Sequence, residues 1–525
     1  MSTPVPGQYD LVVVGAGSGG YVAGIRAAQL GMTVAIIEER YWGGVCLNTG
    51  CVPSKALLRN AEIASILTHQ ADEFGICGDI HLDYARAVSR SREVADARVR
   101  GVDFLMRKNK ITQIDGHGRF SGSHTLDVEP RDGGTTTLRF DNAIIATGSR
   151  VRMLPGVSLS DNIVTYEQQI LDATLPESMV IIGAGGIGME FAYILNSYGV
   201  DIQILEYADR ALPNEDADVS KELTRQYRRR GIPIQTTTRV DSVIDHDDHI
   251  TVTHTHRNGR TTSVDAARAF ICIGFCPNVE NLGLDLLGVH LTPGGAIDID
   301  DYMRTSAPHI FAIGDVTAKV QLAHVASAQG VIAAETIAGS QTMPMDYRMM
   351  PRVTFCQPQV ASFGYTEDQA RASGRNIRVA AFPMQASAKA HGLGERAGFI
   401  KVIADAAHGE LLGAHLVGAE VSELLPELTA AQLWDLTATE LARNRAHPPH
   451  ARRGTTGMLP RSDRPRHQPL TTPKAGTLCR TTLKNRPTPQ QSSGVYSAPV
   501  GGHANASPPH CPLLDSIARK GNIPS

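Results

Sequence analysis

The sequence has few cysteines and no long apolar run, and each of these shortages excludes a class of protein. Eight cysteines in 525 residues are too few for a disulfide scaffold, and no stretch approaches the length of a transmembrane helix. A formal net charge of -3 with 20% charged residues gives no indication of nucleic-acid or membrane binding. The first residues lack a basic run and reach glycines after one short apolar strand, so a signal peptide is not expected.

Two of the few cysteines, Cys46 and Cys51, are separated by four residues in the run Gly43–Lys55. Two thiols in this position can store two electrons, although a metal clip or two ordinary buried thiols remain open alternatives. Metal sites usually add further Cys or His close to such a pair, and this stretch has none, which favours the redox interpretation. In a reducing compartment, only a cysteine pair coupled to a cofactor would cycle between dithiol and disulfide. Since the chain has one such pair and too few cysteines for a disulfide scaffold, we expect a cytoplasmic protein.

A glycine-rich loop follows the first apolar strand of the chain. The strand Asp10–Val14 leads into Gly-x-Gly-x-x-Gly, formed by Gly15, Gly17 and Gly20, and a helix pattern and a second strand that ends at Glu38 follow. Such glycines admit a pyrophosphate to the N-terminus of the helix, and the terminal acid accepts hydrogen bonds from ribose hydroxyls. The segment therefore predicts a dinucleotide-binding unit.

The same pattern occurs a second time, after a strand over residues 178–182. Its glycines are Gly183, Gly185 and Gly188, and its second strand ends at Glu206. One such loop is weak evidence because glycines also serve plain tight turns, but two complete units with acidic ends imply two dinucleotides. Since Glu206 accepts from a 2′-hydroxyl and repels a 2′-phosphate, the second unit is predicted to bind NAD rather than NADP.

The cysteine run resembles the redox-active disulfide of the flavin disulfide reductases. Its form, Cys-Leu-Asn-x-Gly-Cys-x-Pro-Ser-Lys, is similar to that of the dihydrolipoyl dehydrogenase family, and the likeness extends over residues 9–444. The resemblance implies FAD in the first unit, which carries the Cys46–Cys51 pair and Lys55, and NAD in the second. It argues against glutathione reductase, which typically has basic residues where Glu206 stands.

The resemblance also assigns further positions in the two cofactor sites. It implies that Glu190 pairs with Lys55 beside the flavin, although a solvated charge on the first turn of a helix is the open alternative. His324 by itself would more often be a capped core histidine and receives no catalytic role. The other implied cofactor contacts are Gly118 behind the adenine, the turn at Gly148, Gly274, Asp315 on the ribityl chain, and Ala323 where a helix begins under the isoalloxazine ring.

The last part of the likeness begins near residue 350 and alternates strands with short helices. Strands are predicted at 351–355, 359–364, 399–403 and 411–416, and helices at 422–433 and from 437. The resemblance makes this segment a homodimer interface domain. The expected fold is α/β, with two Rossmann-like dinucleotide-binding domains and a C-terminal α+β dimerisation domain. The predicted divisions are 1–150 (FAD), 151–275 (NAD), 276–350 (return to the FAD domain), 351–444 (an incomplete interface domain) and 445–525 (tail).

One part of the family's machinery is missing from this sequence. Members of the family supply a base from the partner subunit, the second histidine of a His-x-His-Pro-Thr-x-x-Glu run, which the glutamate holds. Here the chain after Asn444 reads Arg-Ala-His-Pro-Pro-His, so the position of the catalytic histidine falls on Pro448. His447 and His450 flank it with no matching glutamate behind them, and neither is assigned as a base.

Residues 445–525 also differ from the rest of the chain in composition. They contain twelve Lys and Arg against two Asp, thirteen of the 29 prolines, and a single aromatic residue. Such a segment cannot bury a core, so it is expected to be disordered. A shift of one base in the reading frame explains both anomalies, because the codons available from Ala446 onward permit His-Thr-His-Pro-Thr in the shifted frame. We therefore expect a frameshift-derived tail, a weakened homodimer and impaired turnover.

Two functions of different class are consistent with these observations. The first is oxidation of dihydrolipoamide on the lipoyl domain of a 2-oxo acid dehydrogenase complex, with NAD as the acceptor. The second is a flavoprotein that retains only NADH diaphorase activity or cofactor binding. Mercuric reductase is a weaker alternative, because it would show two vicinal cysteines near its C-terminus, where this chain has only the isolated Cys479 and Cys511.

Overall fold

Helices and strands alternate through the first part of the chain, and antiparallel strands dominate its last part. The computed structural model describes residues 7–131 and 133–444, and the predicted tail lies outside the described residues. The described strands, in chain order β1 to β22, are Gln8–Val14, Val34–Glu38, Thr112–Asp115, His117–Gly122, Thr125–Glu129, Thr136–Ile145, Ser149–Val151, Ile163–Val164, Ser178–Ile182, Asp201–Leu205, Ile234–Gln235, Thr238–Asp245, Ile250–His256, Thr261–Ala266, Arg268–Ile271, Phe275–Pro277, Ile310–Ala312, Arg352–Thr354, Gln359–Gly364, Ile377–Pro383, Phe399–Asp405 and Leu411–Gly418.

The described helices, α1 to α13, include several of a single turn. They are Ser18–Gln29, Gly44–Asn48, Cys51–His69, Tyr84–Lys108, Tyr166–Gln169, Gly186–Asn196, Ala217–Arg229, Leu284–Leu287, Ala323–Ile337, Glu367–Ala372, Ala388–Gly392, Leu425–Leu433 and Ala438–Arg443. Among the described residues, no helix combines the length and the apolar character that crossing a bilayer requires.

The first sheet is built around β1, whose four last residues are buried. Its order is β3-β2-β1-β6-β5-β4, and β17 pairs in parallel with the second half of β6. Strands β1, β2, β3 and the end of β6 run parallel. The inner strands β1, β2 and the end of β6 are largely buried and apolar, as strands covered on both faces are, whereas β3 at the edge is polar and partly exposed. Helices α1 and α9 pack together, and Arg26 of α1 is paired with Glu335 of α9 at 2.6 Å.

The second sheet repeats the parallel arrangement in the order β11-β10-β9-β15-β8. An antiparallel sheet of β12, β13 and β14 follows β11 in the chain. The chain leaves the first sheet through β7 and returns through β16, and these two strands pair with each other, with Ser149 opposite Pro277. The predicted boundaries at 150 and 275 fall in or beside these strands, and the domain division itself stays a prediction.

The third sheet is antiparallel throughout, in the order β18-β19-β22-β21-β20. Sequence analysis missed β20, which lies at the edge of the sheet and has half-exposed side chains that give no clear alternation. The helix predicted from residue 422 starts with the 3-10 turn Val421–Glu423, and α12 begins at Leu425. Pro426 lies in the first turn of α12. It has no backbone N–H, which costs nothing there because the first N–H groups of a helix have no partner within it.

The cysteine run forms two helices. Cys46 lies in the short α2, and Cys51 is the first residue of α3. The break falls at Gly50, where an added Cβ would approach the Val45 carbonyl oxygen at 2.9 Å. This break turns the chain so that the two thiols come together.

Candidate active site

A cleft of about 930 Å³ lies where the first sheet, the cysteine helices and α6 meet. Its volume falls in the upper part of the usual range for small-molecule sites. The predicted site residues that line it are Gly15, Gly17, Glu38, Cys46, Cys51, Lys55, Gly118, Gly148, Glu190, Asp315 and Ala323. The fold therefore brings together residues that are up to 308 positions apart in the sequence, from Gly15 to Ala323.

The first glycine loop forms one wall of the cleft. Gly15 has φ +106°, and a Cβ there would lie 2.3 Å from the Ala146 carbonyl oxygen, while a Cβ at Gly20 would lie 1.9 Å from the Gly15 carbonyl oxygen. At Gly17 a Cβ would meet nothing closer than Gly44, at 3.9 Å. Two of the glycines thus allow close packing, and the middle one leaves the N-terminus of α1 open to a ligand.

Glu38, at the end of β2, fixes the loop from the side. Its carboxylate accepts from the backbone N–H groups of Ala16 at 2.7 Å, Arg40 at 2.7 Å and Tyr41 at 2.9 Å. The Glu38 carboxylate therefore joins the glycine loop to the turn after β2. This is the position at which such a fold binds a ribose.

The Cys46 and Cys51 side chains lie close enough to act on each other, and both are free thiols rather than a disulfide. A hydrogen bond from Cys51, aided by the Ser18 hydroxyl and the charge of Lys55, lowers the pKa of Cys46 to about 7 despite its burial. The same bond, together with burial, raises the pKa of Cys51. Cys46 is therefore the member of the pair that ionises near neutral pH and is able to act as a nucleophile.

Lys55, one turn after Cys51 on α3, is paired with Glu190 of α6. The lysine Nζ lies 2.9 Å and 3.1 Å from the two carboxylate oxygens. Burial opposes the charge on Lys55, but Glu190 outweighs it, so the pKa of Lys55 is raised. Glu190 also accepts from the backbone N–H of Phe355 at 2.8 Å. The geometry is that of a held ion pair rather than a solvated charge, and its catalytic role stays a prediction.

The far wall of the cleft is formed by the chain segments that return to the first sheet. Asp315 follows β17 and accepts from the Ser149 hydroxyl at 2.8 Å, while burial raises the pKa of the Asp315 carboxyl. Ala323 is the first residue of α9, so the N-terminus of that helix points to the cleft. His324 hydrogen-bonds through Nε2 to the Pro351 carbonyl oxygen at 2.9 Å, which is a structural contact.

The second glycine loop repeats the geometry of the first. Gly183 has φ +112° and lies against Cys272, a Cβ at Gly188 would lie 2.1 Å from the Gly183 carbonyl oxygen, and a Cβ at Gly185 would meet nothing within 4 Å. Glu206 accepts from the N–H groups of Ala184 at 2.5 Å and of Ala208 at 2.6 Å.

Some of the predicted site residues do not line the large cleft. The second unit reaches it only through the first turns of α6, at Gly186, Ile187, Glu190 and Phe191. The predicted residues outside its lining are Gly20, Gly183, Gly185, Gly188, Glu206 and Gly274. Gly20 and Gly188 pack beneath their loops, and the assignment of the others to a separate nicotinamide site stays a prediction.

Both units fit the dinucleotides that the sequence implies. In each, the middle glycine leaves the N-terminus of a long helix open, and an acid at the end of the next strand faces the loop. The first unit adds a cleft large enough for a flavin next to the thiol pair. Within the described residues, no group of three or more His, Cys, Asp or Glu is placed to hold a metal ion.

Sequence analysis missed two residues at this site. Ser18 is the first residue of α1, and its hydroxyl contacts Cys46. The position of Ser18 inside the glycine loop can be read from the sequence. The packing of α1 near α2, which brings Ser18 to Cys46, cannot. Phe355, which bonds to Glu190, follows β18 of the third sheet, and no local pattern connects it with residues 165 positions away.

Two dinucleotide folds, one of them beside an ionisable thiol pair, define a nucleotide-dependent disulfide reductase. Comparison with known proteins agrees with this class. The chain belongs to the pyridine nucleotide-disulphide oxidoreductase family, whose model matches residues 9–330, and the family's dimerisation domain matches residues 350–456.

Relatives with curated names narrow the class. The chain is 61% identical over 443 residues to dihydrolipoyl dehydrogenase of Mycobacterium tuberculosis, covering 84% of this chain and 95% of that protein. It is 54% identical over 441 residues to dihydrolipoyl dehydrogenase of Corynebacterium glutamicum, covering 83% and 94%.

Solved structures show the same fold. The crystal structure of LpdA from Mycobacterium tuberculosis matches with a TM-score of 0.80 and 28% identity, over 85% of this chain and 98% of that one. The HOCl-induced flavoprotein disulfide reductase RclA of Escherichia coli matches with a TM-score of 0.77 and 26% identity, over 86% and 99%. The predicted fold class and family are confirmed.

Proposed function

We propose that this protein oxidises dihydrolipoamide carried by a lipoyl domain, with FAD as its bound cofactor and NAD⁺ as the final acceptor. The observation that supports this most strongly is the contact of Cys46 with Cys51 in the same cleft as the first glycine loop. The relatives at 54–61% identity, all named dihydrolipoyl dehydrogenase, support the choice of substrate.

The cysteines carry the thiol chemistry. In the oxidised pair, one substrate thiolate attacks the Cys46 sulfur, forms a mixed disulfide and displaces Cys51 as a thiolate. The second substrate thiol then displaces Cys46, which releases the cyclic disulfide of lipoamide and leaves the reduced pair. FAD, when bound, supplies a two-electron acceptor between this dithiol and NAD⁺. The balance is one dithiol oxidised, one NAD⁺ reduced and one proton released.

Other residues prepare the pair for this exchange. Lys55 and the Ser18 hydroxyl stabilise negative charge on Cys46, so that a substantial fraction is thiolate at neutral pH. Glu190 holds Lys55 in place, with its position fixed by the backbone of Phe355. Glu206 favours a free 2′-hydroxyl on the second nucleotide.

The protein is expected in the cytoplasm, with the homodimer of its family present in weakened form. The match to the dimerisation domain supports the dimer, and a thiol pair that cycles with a cofactor supports a reducing compartment. A 2-oxo acid dehydrogenase complex, through its lipoyl domain, is the proposed partner.

An assay of dihydrolipoamide oxidation with NAD⁺ tests the proposal directly. The purified full chain should bind FAD, give a yellow protein and produce NADH, and NADH should reduce it faster than NADPH. A parallel assay of NADH with a quinone measures diaphorase activity. A correctly folded protein that takes up no FAD would contradict the proposal, and so would a clear preference for NADPH.

We also propose that the tail after Asn444 lowers this activity. The sequence there lacks the family's base, and restoring the frame would supply His-Thr-His-Pro-Thr. Because general acid–base catalysis is worth roughly 10²–10⁴-fold, the chain as written should turn over dihydrolipoamide that much more slowly than a frame-corrected version. Quinone reduction by NADH should be less affected. Equal lipoamide turnover in the two versions, measured at the same FAD content, would show that the tail is not the cause.

A further inference from the structure

The Lys55–Glu190 pair touches a third residue that comes from another part of the fold. Lys55 belongs to α3 and Glu190 to α6, whereas Phe355 follows β18 of the third sheet. The Lys55 Nζ lies 5.0 Å from the centre of the Phe355 ring. This distance is within the range in which a cation is attracted to the face of an aromatic ring.

The backbone of Phe355 makes an independent contact to the same pair. Its N–H donates to Glu190 Oε1 at 2.8 Å, and that oxygen also accepts from Lys55 at 3.1 Å. One residue therefore holds the carboxylate through its main chain and the ammonium through its side chain. A substitution at this position removes only the second contact, because the N–H is kept by every residue except proline.

Phe355 acts on the pair from outside the cleft. Lys55 and Glu190 line the cleft, and Phe355 does not. The ring is partly buried and packs against the core that surrounds the second sheet. That core anchors the ring, so the ring limits the positions available to the ammonium group.

We propose that Phe355 is a positioning residue that holds the Lys55 ammonium against the cleft, where its charge acts on Cys46. The inference rests on the proposed function, because it concerns the cysteine pair used in that reaction. Phe355 would connect the third sheet to the redox centre of the same chain. The simpler alternative is that Phe355 only fills space in the core.

Three variants of the full-length, FAD-loaded protein separate these two roles. F355L removes the aromatic face and keeps an apolar side chain, F355Y keeps the face, and F355M repeats the test if leucine is not accommodated. F399L is the matched control, because Phe399 is also a partly buried aromatic residue packed against the same core. K55M removes the lysine charge altogether and so gives the largest change in Cys46 reactivity that the loss of this charge can cause.

The readout is the pH dependence of Cys46 alkylation by iodoacetamide in the reduced protein, which needs no lipoamide. Cys46 is influenced by Cys51, Ser18 and Lys55, while Tyr21 of α1 and Glu190 of α6 interact with the pair. Arg98 of α4 faces Tyr21. None of these groups is altered in the Phe355 variants, so a change in the profile reports the position of Lys55.

F355L should shift the alkylation profile to higher pH and lower the rate at pH 7 by roughly 2–5-fold, the factor that corresponds to a weak cation–π contact. F355Y and F399L should keep the wild-type profile, and K55M should show a shift at least as large as F355L. The inference is overturned if F355L and F355M both keep the wild-type profile, or if F399L shifts as much as F355L.

The same experiment distinguishes failure of the inference from failure of the proposed function. If the wild-type protein does not oxidise dihydrolipoamide but F355L still shifts the Cys46 profile, the positioning role stands and the proposed substrate is wrong. If lipoamide is oxidised and the profiles coincide, the substrate stands and the positioning role is wrong. Unfolding temperature, measured for each variant, identifies any shift that comes from a general loss of structure.

Discussion

The two nucleotide units have nearly the same local structure. Each has a parallel strand, a glycine loop, a helix and a second strand followed by an acid, which is Glu38 as the last residue of β2 and Glu206 directly after β10. In both, the acid accepts from an alanine N–H 22 residues earlier, at 2.7 Å in the first unit and 2.5 Å in the second. The first and third glycines are packed against backbone atoms, and the middle one is open.

The units differ in the segment that comes after the second strand. After Glu38 the chain turns through Gly43 and Gly44, both with positive φ, and brings α2 against the first glycine loop. A Cβ at Gly44 would lie 2.5 Å from the Cα of Gly17, so only glycine allows this approach. After Glu206 the chain turns into an exposed loop, in which 77% of Tyr207 is accessible to solvent.

This difference shows how one fold serves two roles. In the first unit, the added helices enclose the nucleotide site and place two thiols beside it, as a retained cofactor requires. In the second unit, Glu206 is itself buried, but the loop after it is exposed at Tyr207, as expected for a nucleotide that binds and leaves in each cycle. Since the glycine loop and the acid are common to both units, we expect the segment after the second strand to decide which nucleotide role each unit takes.

The largest expected effect comes from removing the thiol that distinguishes the first unit. C46S should abolish dihydrolipoamide oxidation, by on the order of 10³-fold or more, because no disulfide can form for the substrate to attack. Reduction of bound FAD by NADH depends on the second unit and should persist. The two activities are measured on the same preparation. Retained lipoamide turnover in C46S would show that the pair is not the redox centre.

A smaller effect is expected from the acids, and it should differ between the units. A glutamine has a single amide oxygen, so E206Q leaves one of the N–H groups of Ala184 and Ala208 without its charged acceptor, at a cost of about 1.5–3 kcal/mol. The KM for NADH should rise by about 10- to 100-fold, with FAD content unchanged. E38Q should instead lower FAD content and leave the NADH preference intact in the fraction that retains FAD.

Stopped-flow reduction by NADH and NADPH, together with flavin absorbance per chain, measures both outcomes for the acids. The asymmetry between the variants is the decisive result. Loss of FAD in E206Q, or a raised KM for NADH without FAD loss in E38Q, would reverse the assignment of the two units.

Much of this arrangement was predictable from sequence because it is local. The strand Ser178–Ile182 was predicted with the bounds that the structure gives, since an apolar run that ends at a glycine loop is a strong signal. The edge strand β20 was missed because an exposed strand lacks that signal. The contact of Phe355 with Lys55 was missed for a different reason, since it depends on the third sheet folding back onto α6.

The smallest expected effect concerns one of the two positions at which the glycine loops differ inside the motif. The first has Ser18 where the second has Gly186, and only the first faces a cysteine. The Ser18 hydroxyl hydrogen-bonds to Cys46 and helps to lower the thiol pKa to about 7. Its removal in S18A should therefore raise that pKa, by about 0.4–1 unit for a hydrogen bond worth roughly 0.5–1.5 kcal/mol.

The sign of the S18A effect is set by the charge on the thiolate. A raised pKa leaves less thiolate at pH 7, so alkylation of reduced Cys46 should slow at pH 7, while the rate at high pH, where the thiol is fully ionised, stays the same. S18T keeps the hydroxyl and should retain the wild-type profile. Coincident profiles for S18A and the wild type would mean that Ser18 contributes nothing to the thiolate, and that the two loops differ at this position without consequence for the chemistry.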